Sequence, residues 1–177
     1  MFEMLVPKLR VNTVFDIPLE ELYIKGYRGI ITDLDNTLVG AKAPLATPEL
    51  LLWFEKVKQF GFKLIIVSNN NMDRVSRFAT PLNIEFVHQA RKPSNAPFRK
   101  AMKQMELSPE QTIVVGDQML TDVYGGNRLG LHTVLVLPIS VKDEGIGTRI
   151  NRRIEQIALT RLRKQGLWHE HEEEKLK

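Results

Sequence analysis

An α/β fold, doubly wound and Rossmann-like around a mainly parallel sheet, is what this sequence predicts. Short apolar runs rich in β-branched residues recur along the chain, each is followed by a stretch with helical spacing, and the runs are apolar throughout rather than alternating. Strands covered on both faces read in this continuous way, and strands that alternate with helices build βαβ units and a parallel sheet.

The elements follow in order. Residues 1 to about 26 form a leader with weak helical character around "PLEELYIKG". "RGIITDL" is the first strand. "TPELLLWFEKVKQFG" is a helix, with Thr47 as N-cap, Pro48 in its first turn and Gly61 after its end. "FKLIIVS" is the second strand, followed by a helix from about Met72 to Thr80. "IEFVHQ" is a weaker third strand, and "SNAPFRKAMKQMEL" a helix capped by Ser94. "QTIVVGD" is the fourth strand, "MLTDVYGGNRLG" a short helix with glycines near its end, and "HTVLVLP" the fifth strand. From about 148 runs a C-terminal helix, "TRINRRIEQIALTRLRKQG", and then an acidic tail, "HEHEEEKLK", expected to be frayed and solvated. The 177 residues are expected to form one domain, 1–177, with a core of about 27–140, and no repeat or low-complexity linker interrupts it.

Composition narrows the function classes. There is no cysteine, which excludes disulfides and thiolate chemistry and fits a reducing, cytoplasmic setting. The longest apolar runs, such as Leu64 to Val67, are too short to cross a bilayer. The opening "MFEMLVPKLR" lacks the basic leader, long apolar stretch and cleavage site of a secretory signal. A net charge of +4 permits an anionic partner without requiring one.

Polar residues gather where strands end, which is where open parallel sheets bind ligands. The first strand ends in Asp33-Leu34-Asp35-Asn36-Thr37 and the second in Ser68-Asn69. Arg91-Lys92-Pro93 precedes the next helix but one, and Gly116-Asp117 closes the fourth strand with Asp122 five residues on. Alone, an Asp-x-Asp at a strand end is a turn or capping feature. A calcium loop is excluded, because Leu38 stands where that loop needs glycine and Pro44 where it needs glutamate. Together, several acids suit a hard cation such as Mg²⁺, a lysine complements phosphate as a point charge, and the Ser68 hydroxyl with strand-end N–H groups can hold phosphate oxygens. That chemistry is phosphoryl transfer, where positioning and charge neutralisation supply most of the rate.

"DLDNT", "VSN", "RKP" and "GDQMLTD", in this order, resemble the four motifs of the haloacid-dehalogenase-like (HAD) phosphatases, over about residues 29 to 123. With the leader "VPKLRVNTVFDIPLEELYIKGYRGIITDLDNTLVG", the chain is similar to the YqeG-type, class III capless branch, itself similar to phosphatases of phosphatidylglycerophosphate. The resemblance implies a HAD-type sheet and a set of roles. Asp33 would be the nucleophile, ionised at an ordinary pKa, and Asp35 would protonate the leaving oxygen and then deprotonate the water that hydrolyses the intermediate. Ser68 and Asn69 would bind phosphate and Lys92 offset its charge. Asp33, Asp117 and the Asp35 carbonyl would ligate Mg²⁺, while Asp122 and Thr37 would support. The substrate would be a glycerophospholipid phosphate. The alternatives are a protein, nucleic-acid-end or sugar phosphate, or a non-catalytic phosphate-binding scaffold.

Other features weigh less. Asn70 and Asn71 read as turn formers, and His88 and His132 as structural. A metal site at His169 and His171 is poorly supported. In the C-terminal helix, Ile150, Ile154, Ile157 and Ala158 repeat at helical spacing amid Arg149, Arg152, Arg153, Arg161, Arg163 and Lys164, with Glu155 the sole acid. This pattern suits either an apolar stripe packed on the sheet or a basic surface for anionic lipid at the membrane's inner face, rather than a nucleic-acid patch, since aromatics are sparse. Only about thirty residues separate Asp35 from Ser68, filled by one helix and one strand, so no cap domain fits there. An open rim favours a phosphate on a macromolecule or membrane.

Overall fold

In the computed structural model, which describes residues 2–140 and 145–168, the chain lays down six strands: β1 (Leu9–Val11), β2 (Gly29–Thr32), β3 (Lys63–Val67), β4 (Glu85–Val87), β5 (Thr112–Gly116) and β6 (His132–Val136). They form one sheet in the order β1-β6-β5-β2-β3-β4, with every pairing parallel. The helices are α1 (Leu19–Ile24), α2 (Pro48–Gln59), α3 (Met72–Ala79), α4 (Asn95–Met105), α5 (Tyr124–Asn127) and α6 (Ile146–Lys164). The acidic tail with His169 and His171 lies outside the described residues.

Alternation along the central strands explains why the sheet is covered twice. Ile30, Ile66, Ile113 and Val115 face one apolar cluster, which includes Trp53, Val57 and Phe78 from α2 and α3. Ile31, Ile65, Val67 and Val114 face the other, with Phe98, Ala101 and Met105 of α4. Each fully buried side chain of this size contributes about 1.5–3 kcal/mol by leaving water. Sequence-read caps hold at α2, where the Thr47 hydroxyl accepts from Leu50 N at 3.2 Å. Ser94 stands at the N-cap of α4 without a side-chain cap bond.

Six strands rather than five is a correction. The leader contributes β1, which pairs with β6 in the register Leu9 to Val134. Three residues at a sheet edge are too short to carry a periodic signal. The central order places β2 beside both β3 and β5, and the winding direction reverses between β2 and β5. That switch point opens a crevice at the carboxyl ends of these two strands.

Candidate active site

Asp33 follows β2 directly, and its N–H still donates to Val115 O of β5 at 2.9 Å, so the ladder fixes its main chain. The chain then closes into a tight loop. Asn36 takes a left-handed conformation (φ 66°) and donates through its N–H to Val39 O at 2.7 Å. Leu34 and Leu38 root this loop in the core, and its polar residues are left to the crevice.

Lys92 reaches the same place from the loop after β4. Two non-glycine residues there, Gln89 (φ 45°) and Arg91 (φ 57°), hold left-handed conformations, which persist only where neighbours over-determine them. Asn69 is one such neighbour: its Oδ1 accepts from Lys92 N at 2.7 Å, and its Nδ2 donates to Lys92 O at 3.3 Å. Asn70 is another, since its carbonyl accepts from Gln89 N at 2.7 Å. The Lys92 ammonium then donates to Asp33 Oδ1 at 2.8 Å and Asp122 Oδ1 at 2.7 Å, all three side chains being buried.

Asp122 stands on a π-type turn, Met119–Val123, in which Val123 N reaches back to Gln118 O. It packs on Gly116, where a Cβ would lie 2.2 Å from the Asp122 Cγ, so only glycine admits this carboxylate at the end of β5. Asp117 accepts from the Thr37 hydroxyl at 3.2 Å through Oδ1 and from the Arg152 guanidinium through Oδ2. Arg152 also donates to the Asp117 carbonyl at 2.6 Å. Asp35 is gripped separately. Arg74 donates to its Oδ1 through Nη2 at 2.8 Å and Nε at 3.0 Å, and Asn70 Nδ2 donates to its Oδ2 at 2.8 Å. Ser68 ends β3, and its hydroxyl accepts from Asn70 N at 3.1 Å.

A cleft of ≈ 530 Å³ opens over these residues, lined by Asp33, Asp35, Ser68, Asn69 and Lys92, with Asn151 among the residues that wall it from α6. Burial and its neighbours set the charges. Burial pushes the Asp33 carboxyl up to about 6, against the pull of Lys92 and with the Asp122 charge adding to the rise. Its pKa is therefore not the ordinary one expected. Burial pushes Asp117 up to about 8, with the Asp33 charge adding to the rise and Arg152 opposing it. Burial pulls the Lys92 ammonium down, but the carboxylates of Asp122 and Asp33 more than offset this and hold it above its usual value.

This donor set fits a hard divalent cation. Asp33, Asp117 and Asp122 bring carboxylate oxygens within 4.8 Å of one another, and a cation relieves the repulsion that raises their pKa values. Both Asp122 oxygens are already engaged, Oδ1 by Lys92 and Oδ2 by Gln118 N and the Thr121 hydroxyl. Both Asp117 oxygens are engaged as well, by Thr37 and Arg152, so a metal there would take the place of one of these donors. Lys92, by contrast, bonds Asp33 through Oδ1 and leaves Oδ2 toward the cleft.

Four contributors were not legible as such in sequence. Asn70, read as a turn former, bonds Asp35, whereas Asn71 caps α3 by accepting from Arg74 N at 2.9 Å. Arg74 lies in the first turn of α3, where the helix dipole disfavours a cation; that misfit was the available signal of an acidic partner. Arg152, which its sequence neighbourhood groups with a solvated or lipid-facing set, turns inward to Asp117. Glu155 stands beside it and accepts from Leu120 N at 3.0 Å.

Comparison with known proteins shows the family. The HAD-hydrolase-like family model matches residues 89–142. The Bacillus subtilis (strain 168) protein named "Probable phosphatase YqeG" is 49% identical over 161 residues, covering 91% of this chain and 93% of that protein. This chain belongs to the YqeG family of HAD-like phosphatases. Phosphatidylglycerophosphate phosphatase 1, chloroplastic/mitochondrial, of Arabidopsis thaliana is 30% identical over 175 residues, covering 93% of the chain, while the chain spans 50% of that protein's length. In fold, this HAD-like phosphatase is similar to the cobalt-bound deoxy-D-mannose-octulosonate 8-phosphate phosphatase of Haemophilus influenzae. The TM-score is 0.51 at 17% identity, over 81% of this chain and 91% of that one. The sheet and its covering helices are thus those of the HAD-like fold, and among the described residues no separate cap domain stands over the cleft.

Proposed function

We propose that this YqeG-family phosphatase hydrolyses a phosphomonoester through an aspartyl-phosphate on Asp33, with Mg²⁺ as its cofactor and phosphatidylglycerophosphate as its substrate. The observation that carries the reading is the convergence of Asp33, Asp35, Ser68 and Lys92 on one cleft from three separate strand ends. The substrate rests on the similarity to the Arabidopsis phosphatase and on a cleft without a cap domain. The site then belongs to phospholipid metabolism, on the cytoplasmic side of a membrane.

Asp33 Oδ attacks phosphorus as the P–O bond to the leaving alcohol breaks, and the Asp35 carboxyl gives its proton to that oxygen. Asp35, now a carboxylate, takes a proton from the water that attacks the aspartyl-phosphate. Inorganic phosphate leaves and both aspartates are restored. Lys92 keeps its positive charge throughout and offsets the phosphoryl oxygens, while Asp122 fixes its direction. The Ser68 hydroxyl and nearby backbone N–H groups hold the remaining oxygens. Asn69, given to phosphate by sequence reading, spends its side chain on the Lys92 backbone, so its part is to set the lysine's place. Asp33, Asp117 and the Asp35 carbonyl would hold Mg²⁺, which when bound supplies positive charge to the phosphate oxygens facing these carboxylates.

The test is phosphate release, with Mg²⁺, from phosphatidylglycerophosphate in mixed micelles against free glycerol phosphate, with Asp33→Asn beside the wild type. Preference for the lipid and loss of turnover by at least about 10³-fold in Asp33→Asn are expected. Undiminished turnover by Asp33→Asn would sink the mechanism. Equal use of both esters would sink the substrate.

A further inference from the structure

Three isoleucines of α6 face solvent: Ile150 is 53% exposed, Ile154 47% and Ile157 58%. They are spaced four and three residues apart and so share one helical face. The adjoining side of the helix is the one that packs, through Ala158 and Leu162 with Leu5, Met119 and Trp168. The stripe therefore does not lie on the sheet as one of its two readings required; of that set only Ala158 is buried.

Charge on the helix is divided in the same way. Its single acid, Glu155, is buried and bound to Leu120 N, and Arg152 points to Asp117. The exposed charged residues that remain, Arg149, Arg153, Arg161, Arg163 and Lys164, are all cationic. Arg153, Arg161 and Lys164 fall at helical spacing on the isoleucine face. Beside it lies an apolar groove of ≈ 320 Å³, lined by Leu5, Leu120, Tyr124, Ile154 and Ile157 with Arg161. Thr148 and Asn151 of the same helix line the catalytic cleft.

We infer that the Ile150–Ile154–Ile157 face of α6 docks this phosphatase on an anionic phospholipid bilayer. Exposed aliphatic side chains ringed by cations match the interfacial zone, where apolar groups enter the acyl boundary and cations meet lipid phosphates. A protein or nucleic-acid partner matches less well, since no acid or aromatic residue accompanies the stripe on the exposed face of α6. The shared helix brings lipid headgroups to the mouth of the cleft. The inference deepens the lipid-substrate reading but is tested by binding rather than turnover.

The experiment is co-sedimentation of the full chain with vesicles of phosphatidylcholine alone or mixed with phosphatidylglycerol. Two paired variants, Ile154→Asp with Ile157→Asp and Arg153→Glu with Lys164→Glu, run alongside. Hydrolysis of p-nitrophenyl phosphate reports on the cleft. The wild type is expected to bind the anionic vesicles at least about 10-fold more tightly than the neutral ones, and raised salt to weaken it. Both variants are expected to lose about 10-fold or more of that affinity while hydrolysing the soluble ester within about two-fold of wild type. Equal vesicle binding by wild type and variants would overturn the inference. So would binding that appears only once Glu170, Glu172, Glu173 and Glu174 are changed to Gln, because the basic face would then belong to the chain's own tail. Vesicle binding lost in the variants upholds it whether or not phosphatidylglycerophosphate is a substrate.

Discussion

Lys92 stands between Asp33 and Asp122, and a buried lysine is tolerable there only because two carboxylates take its protons in hydrogen bonds. The same ammonium draws the Asp33 carboxylate into the crevice. Asp35 is held from the other side by Arg74 and Asn70, so the two aspartates of one short loop answer to different cations. Arg74→Ala is expected to free the Asp35 carboxylate to turn away from the leaving oxygen, lowering kcat by about 10- to 100-fold. Arg74→Lys should recover only part of it, since an ammonium cannot repeat the two-nitrogen grip. A steady-state comparison of the three proteins checks this, and unchanged kcat in Arg74→Ala would remove Arg74 from any positioning role. Asp33, Lys92 and Asp117 could be read from sequence because each sits at a strand end in a short, ordered motif. Arg74 carried only an indirect signal, a cation in a helix's first turn, and nothing in its own stretch names Asp35, 39 residues away, as the partner.

α6 and the π-type turn act as a pair. The turn needs a partner for its early N–H groups, and Glu155 supplies one at Leu120 while also touching Arg152, at 3.4 Å. Burial raises the Glu155 pKa, and its backbone bond and Arg152 only partly offset that. Glu155→Ala is expected to leave the Leu120 N–H and the Arg152 guanidinium short of a partner, costing about 1–3 kcal/mol in chemical denaturation. A loss well under about 0.5 kcal/mol would mean that water replaces the carboxylate and that α6 is not anchored here. Long elements such as α2 and α4 were legible through periodicity and caps. The edge strand β1 was not, because its identity lies in its pairing with β6 rather than in three residues of its own.

At the scale of the molecule, the reversal of strand order at β2 and β5 gathers the carboxylates of Asp33 and Asp117, and their crowding leaves a signature in stability. Both have folded values, about 6 and about 8, above the ordinary 3.8. Across that interval the folded protein keeps protons that the unfolded chain has released, so stability is greatest on the acid side and falls as pH rises. In the metal-free protein Tm is expected to decline from about pH 5 to about pH 8, and added Mg²⁺ to raise Tm more at the higher pH, where the carboxylates are ionised. Thermal melts at several pH values check both. A Tm that climbs across the interval would contradict the crowded-carboxylate account.

The sequence by itself determined the alternation of strands and helices, the loops that carry acids and Lys92, and membership of a phosphatase family, because these are properties of contiguous residues and of their order. Tertiary structure alone decided that Arg74 grips Asp35, that Arg152 and Glu155 bring α6 into the site, and that three isoleucines remain in solvent. Helical spacing names a face but not its neighbour. Which side of α6 is covered depends on residues as distant as Leu5, Met119 and Trp168, and only the folded chain brings those together.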